Sequence, residues 1–318
     1  RIAYLIEEKN VSPFNILAIT FTNKAAKEMQ ERLIKLIGEV ARNIQVSTFH
    51  SFGLKLLREN YELLGYDRNF VIMDSDDSLT VVKKILKDMN YDPKIYNPKA
   101  IRNKISSCKN EMMSPEVYDR YAVSDYEKVI KEVYEKYQIK LQRNNSVDFD
   151  DLLLLPIELF KKNPEILDRY QDLYQYILID EYQDTNPVQY KLTSMLACKH
   201  RNIFVVGDMN QSIYAFRQAD YRNILNFERD YSDANIIKLE ENYRSTNNIL
   251  NAESYIQGLL LHSLILVFLS RLLLFPVETM LIAAWQNVWY HALRYILLLP
   301  GSVPHSDNPE FLYIPVPA

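Results

Sequence analysis

The chain is 318 residues long, 48% hydrophobic and 25% charged, which allows one large domain or two ordinary ones with substantial cores. A formal net charge of −4 excludes a global attraction to nucleic acid, so any such surface must be local. Cys108 and Cys198 lie far apart, match no metal or redox spacing, and read as buried thiols in a reducing compartment.

The opening stretch, Arg1 to Lys9, has no signal-peptide pattern and reads as an amphipathic helix already under way. Without an initiator Met, the chain is expected to start inside a longer protein. Its six glycines, at positions 38, 53, 65, 207, 258 and 301, include none followed by Lys. The phosphate-cradling pattern G-x-x-x-x-G-K-[ST] therefore does not occur in these residues.

Pro13 marks a turn, and Asn15 to Thr20 reads as a buried strand. Phe21-Thr22-Asn23 follows, with Thr22 or Asn23 placed to cap a helix that carries Ala25, Ala26, Met29, Leu33 and Leu36 on one face. Such a tip suits a nucleic-acid phosphate and a base, or equally an ordinary strand-cap-helix junction. Ile44 to Ser47 repeats the scheme, leading into Thr48-Phe49-His50 and a helix through Leu64. His50 alone reads as a structural imidazole. A fourth run, Phe70 to Met73, precedes an acidic cap at Asp74 to Asp77 and another helix.

From about Lys87 to Asp148 helical periodicity takes over and strand signals vanish. Twelve lysines and arginines stand against ten acids there. This reads as a helical insertion, whose basic residues and tyrosines suit either a nucleic-acid backbone or a solvated surface. Val147 to Leu152 then returns the chain to the core.

Tyr176 to Ile179 is a short apolar run of the kind buried on both faces of a parallel sheet, ending in Asp180 and Glu181. Paired acids at a strand tip suit one carboxylate on a hydrated Mg²⁺ and one polarising an attacking water, or an acidic loop capping the next helix. Asn186 and Pro187 open that helix. Ile203 to Val206 is the next strand. Its tip holds Gly207, Asp208 and Gln211, then Tyr214, Phe216 and Arg217, two stacking rings and a cation suited to single-stranded bases. Ile236 to Leu239 repeats strand-then-polar-tip, with Tyr243 and Arg244 beyond it.

Taken together these segments resemble superfamily 1A helicases of the UvrD/PcrA group. Ile19 to Ala26 resembles motif Ia, Thr48 to Ser51 motif Ib, Asp180 to Asp184 motif II, Gly207 to Tyr214 motif III and Asn242 to Thr246 motif IV. Asp148 to Leu152 adds a further match, and the likeness runs from Arg1 to about Ala252. It implies an α/β fold with a RecA-like P-loop NTPase core. Subdomain 1A would comprise residues 1–86 and 149–235, and an all-helical subdomain 1B residues 87–148. Residues 236–252 would begin a second RecA-like domain, leaving 253–318 as a tail of unassigned origin.

The function implied is an ATP-dependent 3′-to-5′ helicase and translocase on single-stranded DNA and duplex junctions, in the bacterial cytoplasm. Asp180 would hold Mg²⁺ and Glu181 would activate water. Gln211 and Arg244 would contact the γ-phosphate of ATP, and Tyr243 would stack on adenine. Phe21, Thr22, Asn23, Thr48, Phe49, His50, Tyr214, Phe216 and Arg217 would line the DNA path. Gln218 departs from the Gly usual after the motif III Arg, and motifs V and VI have no counterpart. An alternative from another class is a catalytically silent single-strand-binding module.

The tail differs in kind. Residues 253–318 hold six Asp, Glu or Arg and no Lys. The mostly apolar run Gly258 to Phe275 is just long enough for a membrane helix but carries His262 and Arg271, and an interior arginine is costly there. The expectation is a frameshifted, misassembled or fused segment, with a membrane anchor or a packing domain as the other options.

Overall fold

A computed structural model of the chain describes residues 1–208, 222–239 and 310–315. Two compact units divide it, Arg1–Ile237 with Phe311–Ala318, and Lys238–Glu310. All of the packing below belongs to the first.

The chain opens with helix α1 (Ile2–Glu7), which buries Ile2 and Leu5. Strand β1 (Ile16–Thr20) is buried at every position, its apolar run Ile16–Ile19 packed on both faces of a parallel sheet and closed by the buried Thr20. Helix α2 (Asn23–Ile37) is capped by the Thr22 hydroxyl, which accepts from the Ala25 N–H at 3.0 Å. Leu33 is buried and Met29, Ile34 and Ile37 pack beside it, whereas Leu36 is 69% exposed. The apolar face expected of this helix is thus rotated away from Leu36, because Leu33 and Ile37, one turn apart, set the buried stripe.

Strand β2 (Gln45–Thr48) runs into helix α3 (Phe49–Glu59), again with a threonine, Thr48, as cap. Strand β3 (Val71–Met73) leads to helix α4 (Ser75–Asp88), closed by a reciprocal capping box between Asp74 and Asp77. Helices α5 (Pro98–Asn110), α6 (Pro115–Asp119) and α7 (Asp125–Arg143) follow. They share one core with α4, built on Val82, Leu86, Ile101, Ile105, Val133, Tyr134 and Tyr137. One strand interrupts the region read as free of strands: β4 (Ser146–Asp148) pairs in parallel with β3. Three residues, two of them polar, are too short to register as a period-2 pattern.

Helix α8 (Asp151–Lys162) and helix α9 (Pro164–Leu173) return the chain beneath the sheet. Strand β5 (Tyr176–Ile179), helix α10 (Pro187–Ala197), strand β6 (Ile203–Gly207), helix α11 (Arg222–Asp230), strand β7 (Ala234–Leu239) and strand β8 (Glu310–Pro315) complete the described elements.

The main sheet has the order β2-β1-β5-β6-β8-β7, with β2, β1, β5 and β6 parallel. β8 lies antiparallel to β6, with Val205 opposite Tyr313. The fold is the α/β class with a parallel sheet expected from the sequence. One core, including Leu17, Ile19, Phe49, Phe52, Ile157, Ile177 and Val205, lies against α3, α8 and α10. A smaller one, with Ile16, Ala18, Leu33 and Leu178, lies on the opposite face under α1 and α2.

Gly53 on α3 shows how closely these layers meet. A Cβ there would lie 1.9 Å from the Leu152 carbonyl oxygen of α8. Among the described residues no helix is long and apolar enough to cross a membrane. The run Gly258 to Phe275 lies outside the described residues.

Candidate functional site

Parallel pairing carries every β1, β2, β5 and β6 tip to one edge of the sheet. The register sets Thr20 opposite Thr48, Ile19 opposite Ile179, and Ile179 opposite Val205. Four short polar segments therefore line up in space: Thr48 to His50, Phe21 to Asn23, Asp180 to Asp184, and Asp208. In open α/β sheets this carboxyl edge is where ligands bind.

Three contacts knit the first two segments. The Phe21 and Phe49 rings meet edge to face at 6.0 Å. The Thr48 hydroxyl donates to Ser51 Oγ at 2.9 Å, and the Ser51 hydroxyl donates to Asn23 Oδ1 at 3.4 Å. Phe49 is fully buried, so its ring belongs to the core rather than to an open groove. His50 stacks on Phe149, with ring centroids 3.9 Å apart and an interplanar angle of 20°. Burial lowers the His50 pKa to about 4, so the ring is neutral at physiological pH. Phe149 itself is 56% exposed. Beside this stack opens a cleft lined by Asp74, Ser75, Arg102, Ser106 and Asp150.

The acidic tip is more strained. The Asp180 N–H donates to the Ile19 carbonyl at 2.9 Å, so strand pairing holds its backbone. Glu181 follows with φ 53 and ψ 42, a left-handed conformation that costs a non-glycine residue of order 1–3 kcal/mol and is concentrated at functional sites. This twist leaves the Glu181 side chain exposed while Tyr182, Gln183 and Asp184 turn inward. Gln183 Nε2 donates to Glu181 Oε2 at 2.8 Å, and Gln183 Oε1 accepts from the Asp208 N–H at 3.0 Å. One buried amide thus fixes the carboxylate at the β5 tip relative to the β6 tip. Asp184 Oδ1 is buried without a hydrogen-bond partner, and burial, reinforced by the Glu181 charge, pushes the Asp184 pKa up to about 7.

For a magnesium ion this donor set has suitable chemistry, hard carboxylate oxygens at a strand tip with one orphaned acceptor in the same turn. Among the described residues no group of three or more His, Cys, Asp or Glu gathers as a metal cage.

A second cluster was not anticipated. Lys109, at the end of α5, is fully buried and places its Nζ 2.7 Å from both Asp148 Oδ2 and Asp151 Oδ1. The Tyr137 hydroxyl donates to Asp148 Oδ2 at 3.0 Å, and the two aspartates exchange backbone bonds, Asp151 N–H to Asp148 Oδ1 and Asp148 N–H to Asp151 Oδ2. Burial alone would pull the lysine pKa down, but the two carboxylates outweigh it and hold it above its ordinary value. Burial pushes Asp148 up, yet the lysine brings it below the usual range. Burial and then the Asp148 charge push Asp151 up to about 7. This ionic joint fastens the helical layer to the start of α8.

Gln211, Tyr214, Phe216, Arg217, Tyr243 and Arg244 lie outside the described residues, as does Gln218. Sequence reasoning passed over Gln183, Lys109 and Phe149. Gln183 had a signal, an amide two positions after a tip carboxylate, and Phe149 sat unassigned inside the Asp148–Leu152 match. Lys109 had none, since its partners are about forty positions away. The cysteines correct one expectation: Cys108 is buried, but Cys198 is exposed. It follows the last residue of α10 as the C-cap and precedes the polar pair Lys199-His200, so it points outward.

The description "UvrD/REP helicase N-terminal domain" matches residues 1–232. The ATP-dependent DNA helicase PcrA of Bacillus subtilis (strain 168) is 52% identical over 252 residues, which is 79% of this chain and 34% of that protein. The protein of the same name from Staphylococcus aureus (strain Mu50 / ATCC 700699) is 51% identical over the same shares. That from Staphylococcus epidermidis is 52% identical, covering 35% of its length. The chain thus spans about a third of the length of these relatives. By its first 232 residues, the chain belongs to the UvrD/REP helicase family.

Proposed function

We propose that the chain is part of an ATP-dependent 3′-to-5′ DNA helicase that translocates on single-stranded DNA, contributing one face of its nucleotide site and part of its DNA groove. The observation that carries this reading is the alignment of the Phe21–Asn23, Thr48–His50 and Asp180–Glu181 segments along one carboxyl edge of a parallel sheet. PcrA relatives named as ATP-dependent DNA helicases support it.

In this reading Asp180 is the carboxylate that holds Mg²⁺, and Glu181 orients the attacking water and accepts its proton. When bound, Mg²⁺ would neutralise charge on the polyphosphate oxygens. Gln183 keeps the Glu181 carboxylate aimed by its 2.8 Å hydrogen bond. Gln211 and Arg244 would sense the terminal phosphate, and Tyr243 would stack on the base of ATP. Phe21, Thr22, Asn23, Thr48 and His50 would meet the single strand, Thr22 and Thr48 chiefly by setting the helix caps on which the neighbouring side chains ride. Phe49 would act from beneath, as the ring that supports Phe21. Tyr214, Phe216 and Arg217 would continue the path.

The test uses the full-length gene product. ATP turnover that rises with single-stranded DNA and is lost in Glu181→Gln is the expected result. Salt-sensitive DNA binding without turnover would favour a silent binding module instead, a reading suggested by the lack of any Gly-Lys pair in these residues. For the same reason the 318-residue chain alone should bind single strands but show negligible turnover.

A further inference from the structure

Helix α5 ends in Lys109-Asn110, and while Lys109 makes the buried ionic joint, Asn110 faces two turns at once. Its Nδ2 donates to Asp150 Oδ1 at 2.8 Å and to the Ser106 carbonyl at 2.8 Å. Its Oδ1 accepts from Asn186 Nδ2 at 2.6 Å. The amide orientation is fixed by chemistry, since a carboxylate and a carbonyl can only accept and the Asn186 NH₂ can only donate.

The two turns joined this way are the ones of interest. Asp150 follows Phe149, the exposed ring stacked on His50. Asn186 closes the segment that begins at Asp180, and it is committed to its own helix by a capping box, with Gln189 N–H donating to Asn186 Oδ1 at 2.9 Å. A displacement of the Phe149 turn therefore pulls on the cap that ends the acidic tip, through two hydrogen bonds and one side chain. Lys109 anchors the near end, because its contacts to Asp148 and Asp151 flank Asp150 on both sides.

We propose that Asn110 is a positioning residue that couples the His50–Phe149 part of the DNA groove to the 180–186 nucleotide tip. This rests on the functional reading above and adds to it the route by which the two sites sense each other. The helical layer then has a task at the motor core besides its own packing. Asn110 touches neither ligand. Its effect is to keep the two turns in one register.

The experiment is hydrogen exchange on the 318-residue chain, with and without an oligo-dT strand, in the native protein and in Asn110→Ala and Asn186→Ser. Serine retains a capping oxygen for the Gln189 N–H but lacks the amide arm to Asn110. Bound DNA should slow exchange across residues 180–186 by about tenfold in the native chain. Both variants should lose that response, while their affinity for oligo-dT stays within about threefold of native. A role confined to stability would lower the melting temperature yet leave the DNA-induced slowing intact, and that result would overturn the proposal. So would a native chain that binds oligo-dT without any change at 180–186. Should Asn110→Ala fail to fold, Asn186→Ser decides alone. If the native chain does not bind oligo-dT at all, the functional reading itself fails, and the coupling falls with it.

Discussion

The ends of β4 and β5 each gather three acids at the tip of a parallel strand: Asp148, Asp150 and Asp151 at one, Asp180, Glu181 and Asp184 at the other. Their surroundings are opposite. The first receives a buried lysine and a tyrosine hydroxyl, and every oxygen of Asp148 and Asp151 finds a donor. At the second, Glu181 and Asp184 make no ion pair among the described residues, and an oxygen of Asp184 is left without any partner. Saturated charge makes a joint. A partnerless Asp184 oxygen beside the exposed Glu181 carboxylate, on a left-handed backbone, retains electrostatic capacity for a cation.

The sharpest way to break this comparison is to remove the cation that distinguishes the two turns. Lys109→Met leaves buried carboxylates uncompensated and should cost about 3–5 kcal/mol in urea unfolding. The loss should be smaller at pH 5 than at pH 8, since protonating an orphaned carboxyl relieves it. A loss under about 1 kcal/mol would mean that the joint is not what binds the helical layer to α8.

Next in size is the steric contact of α3 with the start of α8. Gly53→Ala forces a Cβ to 1.9 Å from the Leu152 carbonyl oxygen, and backbone, unlike a flexible side chain, has little room to yield. Overpacking of this kind costs about 1–3 kcal/mol or more. A neutral substitution would show that α3 and α8 are free to slide, and with them the His50–Phe149 stack.

How much of this was legible beforehand follows from range. The strands β1, β5 and β6 could be read from short, largely apolar runs, since a parallel sheet buries both faces, and β2 from the strand-then-polar-tip scheme it shares with them. The cap of α2, read as Thr22 or Asn23 and found at Thr22, and the capping residues at Asn186-Pro187 were legible for the same local reason. Leu36 was misassigned because two adjacent turns of α2 both offered apolar residues, and only packing chooses between them. Within the acidic tip, Asp180 and Glu181 stood out as a pair, but the left-handed turn that separates them did not. The joint was illegible: Lys109 looked like one of many lysines in a basic helical stretch, and its burial is decided by tertiary packing with residues 148–151.

A gentler probe lies where the two regions touch. His50 belongs to the row of tips yet stacks on Phe149 from the joint, and burial holds its pKa near 4 against an ordinary value of 6.5. Between those values the unfolded chain binds a proton that the folded chain refuses. His50 therefore contributes stability that is intact above about pH 6.5 and lost as pH falls toward 4, with a slope of at most about 1.4 kcal/mol per pH unit. His50→Gln should flatten that part of the stability profile. An unchanged profile would mean that the imidazole is solvated and that the stack is loose.

The smallest effect separates the regions without perturbing either. Cys108 precedes Lys109 in α5, and burial raises its pKa, so little reactive thiolate forms at neutral pH. Cys198 closes α10, the helix that begins at Asn186, and is exposed. A thiol reagent should label Cys198 at once in the native chain and reach Cys108 only as the joint opens. The labelling rate of Cys108 then reports the opening of the helical layer itself. In Lys109→Met it should rise well above the native rate, while that of Cys198 stays constant. Equal acceleration at both cysteines would instead mean that the two regions unfold as one unit, and that the contrast between them has no counterpart in their stability.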